Sequence, residues 1–255
     1  MTAAVTTSAQ FDTGRVTSRT FGVIGRNFIV FASLALIVAG IPEAIVRYFA
    51  QSATAGAAYD AHLGAAIAGL ISLLASCVLQ AALIHGTIAD LNGRKAVFGD
   101  CLSTGMRFLL PVLGVSILTG IAVVLGFVLL IVPGVLMALA WCVNVPVVVV
   151  ERRGVTATFS RSADLTRGCR WPILGLSVAY LLVALLIDAV GVVASRGFSV
   201  AGLAAGGFNP AAWIVLTIVQ VAQALVGAAG IASIYYELRS NKEGVSAQQL
   251  ASVFD

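Results

Sequence analysis

Five polar side chains lie inside long apolar runs of this sequence, and they are the first candidates for chemistry. Asp188 occurs in Leu-Leu-Ile-Asp-Ala-Val-Gly, and four amides have similar surroundings: Asn144, Gln80, Gln220 and Gln223. An ionisable group at membrane depth costs about 2.5 to 3.5 kcal/mol, so such residues often mark ligand or ion pathways. These five residues predict an intramembrane polar site. Two structural roles stay open. In the first, Asp188 lies near the outer end of its helix, where water or Arg196 satisfies its charge. In the second, the four amides join helices by hydrogen bonds of about 0.6 kcal/mol each.

A second candidate site is a group of five arginines within nineteen residues. Glu151 and Asp164 offset part of their charge, and the arginines are Arg152, Arg153, Arg161, Arg167 and Arg170. A basic group next to a membrane gains about 1 kcal/mol from an anionic lipid leaflet. The cluster therefore predicts binding of lipid headgroups. The alternative is that these residues only set the orientation of the chain in the membrane.

The remaining titratable residues carry no catalytic pattern. Glu43 and Arg47 are four residues apart and predict a structural ion pair at a helix end. The sequence contains no HExxH, GxSxG, P-loop or dinucleotide-binding motif, and its cysteines form no CxxC pair. We therefore predict no catalytic, metal or cofactor site and a protein that is not an enzyme.

The composition predicts a membrane protein. The chain is 60% apolar and only 10% charged, with a mean hydropathy of +1.02. An average soluble domain has about 25% charged residues, which it needs to cover a surface in water. The net charge is +4, and the basic residues lie beside apolar spans and not along one polar face. We therefore expect lipid and not nucleic acid as the partner. A second copy of the chain or another membrane protein is a further expected partner.

The apolar runs predict six transmembrane helices. Residues 108–150 contain no Asp, Glu, Lys or Arg over 43 positions, enough for two spans of about 20 residues with a break at Pro133-Gly134. The whole chain is predicted to be one membrane domain, with a leader at 1–26, spans within 27–236 and a tail at 237–255. The predicted spans are 27–48, 65–88, 108–131, 135–150, 172–194 and 211–236.

A weak internal repeat groups these spans into three hairpins. Each odd-numbered span opens with a glycine, a basic residue and an aromatic residue, and each even-numbered span closes on an acid: Asp90, Glu151 or Glu237. The segments 13–24, 96–104 and 155–167 precede the hairpins and predict short helices at the headgroup level, with loops as the alternative. The predicted fold is an all-α bundle with an interfacial helix before each hairpin. The nine residues of the repeated elbow are Gly25, Arg26, Phe28, Gly105, Arg107, Phe108, Gly168, Arg170 and Trp171.

Several segments resemble a large bacterial inner-membrane family. They are Ile131-Val132-Pro133-Gly134, the run from Val147 to Glu151, the run from Ser160 to Trp171 and Tyr235-Tyr236-Glu237-Leu238-Arg239. The family is named as the membrane domain of glycerophosphodiester phosphodiesterases, and most members stand alone. The resemblance implies the bacterial cytoplasmic membrane. In the named enzymes a separate soluble barrel performs hydrolysis, and we expect none here. The leading hypothesis is a non-enzymatic membrane protein that acts in the organisation of membrane lipids or of the cell envelope. The alternative is a transporter or permease for small solutes or lipids.

The distribution of basic residues predicts the orientation of the bundle. Of the 15 basic residues, 13 fall on one side of the predicted spans, and only Arg47 and Arg196 fall on the other. Because Lys and Arg of short loops stay in the cytoplasm, both termini are predicted to be cytoplasmic. An alkaline phosphatase fused after Lys242 should therefore be inactive, as measured in intact cells, and an active fusion would contradict this orientation.

Overall fold

The computed structural model describes residues 11–46, 59–196 and 210–243, which are almost entirely helical and contain no strand. Six helices in these ranges are long and apolar enough to cross a membrane, which confirms the predicted all-α bundle of six spans. Spans one and two, three and four, and five and six each pack together as hairpins. In order, the six spans are Phe28–Val46, Ala66–Leu91, Leu109–Leu129, Ile131–Glu151, Arg170–Gly191 and Ile214–Glu243.

A short helix precedes each hairpin. We call these three the lead-in helices: α1 (Thr13–Arg26), α4 (Phe98–Arg107) and α8 (Val155–Thr166). Their helical structure is confirmed, and the loop alternative is wrong. The other helices are α2 (Phe28–Ala35), α3 (Tyr59–Leu91), α5 (Leu109–Leu129), α6 (Ile131–Ala140), α7 (Asn144–Glu151), α9 (Arg170–Arg196) and α10 (Pro210–Glu243).

Each lead-in helix packs against an even-numbered span. Helix α1 contacts α10, α4 contacts α3, and α8 contacts α7. The buried face of α1 consists of Val16, Thr20 and Val23, whose spacing of three and four residues places them on one side of a helix. Because α1 is the first of the described helices and α10 the last, this packing joins the two ends of the described part of the chain.

The hairpin between spans three and four turns earlier than predicted. The break lies at Leu130, whose extended backbone precedes α6, and not at Pro133-Gly134. Pro133 instead occupies the first turn of α6, where its missing N–H leaves no hydrogen bond unmade. The glycines bring the two helices close: a Cβ on Gly134 would lie 2.6 Å from Phe127 Cγ, and one on Gly126 would lie 2.9 Å from Gly134 Cα.

Span one contains an irregular turn. A π-helical turn, Leu36–Gly40, follows α2, and the helix then continues through residue 46. Pro42 lies just beyond this turn. A proline inside a helix removes one backbone hydrogen bond and clashes with the carbonyl four residues earlier, so a wider turn relieves the conflict.

The even-numbered spans form the core near the end of the bundle that carries the lead-in helices. Their buried residues include Leu83, Ile84, Val147, Val148 and Tyr235. The odd-numbered spans bury fewer residues and direct apolar side chains such as Leu110, Val128 and Leu186 outward. An outer apolar surface of this kind is what a helix exposed to lipid needs.

Gly105 allows α4 to approach span two closely. A Cβ there would lie 2.6 Å from the Val78 carbonyl oxygen and 3.0 Å from Val78 Cγ1, whereas a Cβ on Gly99 of the same helix meets nothing within 4 Å. We expect Gly105→Ala to destabilise the protein by about 1 to 3 kcal/mol, because overpacking outweighs the helix-propensity gain of alanine. Gly99→Ala is the matched control and should unfold at the wild-type temperature or above it. Equal thermal unfolding of the two variants in detergent would contradict the close contact.

Candidate functional site

The candidate functional site at the lead-in end is a set of ion pairs around buried carboxylates. The most buried of these is Glu237 at the end of span six, whose side chain is fully buried. Arg15 and Arg19 of α1 donate to its two carboxylate oxygens, at 3.1 Å and 2.5 Å. The Arg19 guanidinium also lies over the Tyr236 ring, 5.1 Å from its centre. These contacts fix the first lead-in helix to the last span.

Glu151 holds the third lead-in helix at the end of span four. Arg161 Nε donates to both Glu151 carboxylate oxygens at 3.0 Å, and Arg153 Nε lies 2.8 Å from Glu151 Oε2. The Tyr235 hydroxyl donates to Glu151 Oε1 at 3.1 Å. Arg161 also pairs with Glu243, so this network connects spans four and six through α8.

Asp90 performs the corresponding role at the end of span two. Arg26 Nη2 donates to Asp90 Oδ2 at 2.5 Å, and this hydrogen bond raises the pKa of Arg26. The Asn27 amide donates to Asp90 Oδ1 at 2.7 Å and accepts from the Ala96 backbone N–H at 3.3 Å. Asn27 therefore links the end of α1 to the segment that begins α4.

The structure divides the five predicted lipid-binding arginines into two groups. Arg153 and Arg161 pair with Glu151, which neutralises part of their charge. Arg152 and Arg167 are exposed and contact no carboxylate in the described part of the chain. Arg170 has a buried Nε that makes no hydrogen bond to any described residue. Three of the five arginines, Arg152, Arg167 and Arg170, thus form no ion pair with the described residues.

The residues of the sequence repeat share types but not contacts. A Cβ on Gly25 would meet nothing within 4 Å, Gly105 packs tightly on span two, and Gly168 has a positive φ of 89° that suits glycine at a turn. Arg26 binds Asp90, whereas Arg107 is exposed. Phe108 packs partly against the core, while Phe28 and Trp171 are exposed.

The structure brings together three of the five predicted intramembrane polar residues. Gln80, Gln220 and Gln223 line one cavity between spans one, two, five and six. Asp188 adjoins this group, since Gln223 Nε2 donates to Asp188 Oδ1 at 3.0 Å. Asn144 does not belong to it: its amide donates to Thr119 Oγ1 at 3.0 Å in the middle hairpin. That contact is the helix-joining role that the sequence left open.

The cavity has a volume of about 460 Å³ and contains polar residues that the sequence analysis did not connect. Glu43, Ser72 and Thr217 contribute to its lining, and Ser72 Oγ donates to Glu43 Oε2 at 3.3 Å. The predicted pairs of Glu43 with Arg47 and of Asp188 with Arg196 involve side chains outside the described part of the structure. The sequence feature that could have singled out Glu43 as a lining residue is its position beside Pro42 in an apolar run.

The fold defines a multi-pass helical membrane protein. No protein-family model, no curated protein and no solved structure matches this chain. The family resemblance of the Ser160 to Trp171 segment therefore stays a prediction.

The network around Glu151 predicts a loss of stability when its charge is removed. Glu151→Gln keeps the side-chain shape but weakens the contacts with Arg161, Arg153 and Tyr235. Hydrogen bonds to charged groups contribute about 1.5 to 3 kcal/mol, and partial exposure of the arginines reduces this, so we expect a loss of about 1 to 2 kcal/mol in thermal unfolding. Asp164→Asn is the control, because the exposed Asp164 carboxylate forms no ion pair with the described residues. If both variants unfold like the wild type, the network does not hold α8.

Proposed function

We propose that this protein is a non-enzymatic component of the bacterial cytoplasmic membrane that binds anionic lipid headgroups at its lead-in end. Both termini face the cytoplasm in this proposal, and the protein contributes to lipid or envelope organisation. The observation that carries the proposal is the combination of exposed apolar and exposed basic side chains at one end of the bundle.

The exposed apolar residues lie on or beside the lead-in helices. Phe21 is 59% exposed, Met106 is 59% exposed and Trp171 is 82% exposed. Large apolar side chains at such positions fit the boundary between headgroups and acyl chains, where tryptophan is enriched. These residues support a placement of the lead-in helices in the membrane interface.

Basic residues occur beside these apolar groups. The exposed Arg107 follows Met106, while the exposed Arg167 and the partly buried Arg170 precede Trp171. The pairing of Arg153 and Arg161 with Glu151 leaves Arg152, Arg167 and Arg170 as the proposed headgroup ligands. A cation at this depth meets lipid phosphates at short range, where an anionic leaflet attracts each by about 1 kcal/mol.

The family resemblance adds the cellular location but no reaction. The proposed role assigns no hydrolysis to this chain, because in the named enzymes a separate soluble barrel performs that reaction. Transport, the alternative hypothesis, depends on the cavity between spans one, two, five and six.

Replacing Arg152 and Arg167, the two exposed arginines among the proposed headgroup ligands, tests the proposal. The full chain is placed in nanodiscs of phosphatidylcholine and phosphatidylglycerol, extracted in mild detergent and analysed for retained lipid by mass spectrometry. We expect Arg152→Gln with Arg167→Gln to lower the retained phosphatidylglycerol about five-fold for each contacting arginine, the equivalent of about 1 kcal/mol each.

The matched control keeps the charge and changes only the side-chain shape. Arg152→Lys with Arg167→Lys should retain phosphatidylglycerol close to the wild-type amount. The proposal fails if the Gln variant retains as much phosphatidylglycerol as the Lys variant while both remain folded.

A further inference from the structure

The cavity between spans one, two, five and six is an elongated space within the membrane. Glu43 is fifteen residues beyond Phe28, so it lies about 22 Å along span one from the lead-in end. From Glu43 and its partner Ser72, the cavity extends along span two to Leu83, which lies eleven residues or about 16 Å closer to the lead-in end. The hydrocarbon core of a bilayer is about 30 Å thick, so the cavity is about as long as the chains of one lipid leaflet are deep.

The part of the cavity nearest to the lead-in end has an apolar wall. It is formed by Leu79 and Leu83 from span two and by Ala224, Ala228 and Ile231 from span six. An apolar cavity stays dry and takes apolar ligands, because a water molecule needs two to four polar partners. The volume of about 460 Å³ is within the range of ligand sites, about 300 to 1,000 Å³. This part of the cavity therefore suits a hydrocarbon chain.

Several polar side chains of the cavity wall have partners within the protein. Ser72 Oγ donates to Glu43 Oε2 at 3.3 Å, and Ser76 Oγ donates to a carbonyl of its own helix at 2.8 Å. Gln223 Nε2 donates to Asp188 Oδ1 at 3.0 Å. A buried polar group needs a hydrogen-bonding partner, and here the protein supplies it. These groups therefore do not require a polar occupant.

The cavity opens to the surroundings of the bundle. Ser76 and Gln220 belong to its wall and are exposed. At this depth in a membrane the surroundings are the hydrocarbon chains of lipids. A lipid chain reaches the opening without leaving the bilayer, whereas a water-soluble solute would first have to cross hydrocarbon. The position of the opening favours lipid as the occupant.

We propose that this cavity holds one acyl chain of a membrane phospholipid. The methyl end of the chain lies between Leu83 and Ile231, and its ester end lies toward Glu43, Ser72 and Thr217. The wall changes from polar to apolar in the same direction as the lipid does. The site does not depend on the proposed headgroup contacts at the lead-in end. For the transport alternative, it makes a lipid the ligand class instead of a small hydrophilic solute.

Photolabelling of the full chain tests the occupant. The protein is placed in nanodiscs of phosphatidylcholine that carries a diazirine at the end of one acyl chain, and labelled residues are located by mass spectrometry after irradiation. Leu83 and Ile84 are neighbouring, fully buried residues of span two, but only Leu83 lines the cavity. We expect label on Leu83 and on Ala228, and only background label on Ile84.

A substitution that fills the cavity supplies a matched pair of variants. Ala224→Leu adds a side chain to the cavity wall and should reduce the label on Leu83 to the background at Ile84. Ala222→Leu adds the same volume at an exposed position outside the cavity and should leave the label on Leu83 unchanged. Ala39→Leu fills the cavity from span one and repeats the test if Ala224→Leu does not fold.

Three results would overturn the proposal. The first is a wild-type protein with no more label at Leu83 than at Ile84. The second is a folded cavity-filling variant that is labelled like the wild type. The third is labelling of Leu83 by a water-soluble diazirine and not by the lipid, because the occupant would then be a hydrophilic solute. Arg152→Gln with Arg167→Gln should be labelled like the wild type, so failure of the headgroup proposal is distinguishable from failure of this one.

Discussion

The fully buried carboxylate of Glu237 is the constraint on which much of this structure depends. A carboxylate without partners inside an apolar bundle is strongly unfavourable, so it must be paired with cations. Arg15 and Arg19 of the first lead-in helix supply them. Since these residues are separated from Glu237 by 222 and 218 positions in the chain, the ion pairs join the first of the described helices to the last. Glu151 and Asp90 are paired in a related way at the ends of spans four and two.

These contacts give the two ends of the bundle different properties. At the lead-in end, paired charges and a packed core hold the helices in place and leave a few arginines at the surface. In the other half, spans one, two, five and six surround a cavity that Glu43 and Gln80 both line. The proposed headgroup site at the lead-in end and this cavity therefore lie in separate regions of one fold.

The sequence predicted the spans well because hydropathy and length are local properties. It also predicted the lead-in helices, through the mixture of polar and apolar residues before each hairpin. It placed the hairpin break at Pro133-Gly134, although a proline in a first helical turn begins a helix and the break is at Leu130. The sequence did not predict which charged residues pair. Glu237 lies near Arg239 in the sequence but forms its ion pairs with Arg15 and Arg19. For the same reason the sequence grouped Asn144 with Gln80, although the structure places them in different parts of the bundle. The rotation and packing of the helices decide which polar groups meet.

A double-mutant cycle between Arg19 and Glu237 tests most directly whether buried carboxylates hold the lead-in helices. Unfolding free energies are measured for Arg19→Gln, Glu237→Gln, the double variant and the wild type. Contacting charged residues show coupling energies of about 0.5 to 3 kcal/mol, and we predict at least about 1 kcal/mol for this pair. Additive effects of the two substitutions, with a coupling energy near zero, would contradict the account.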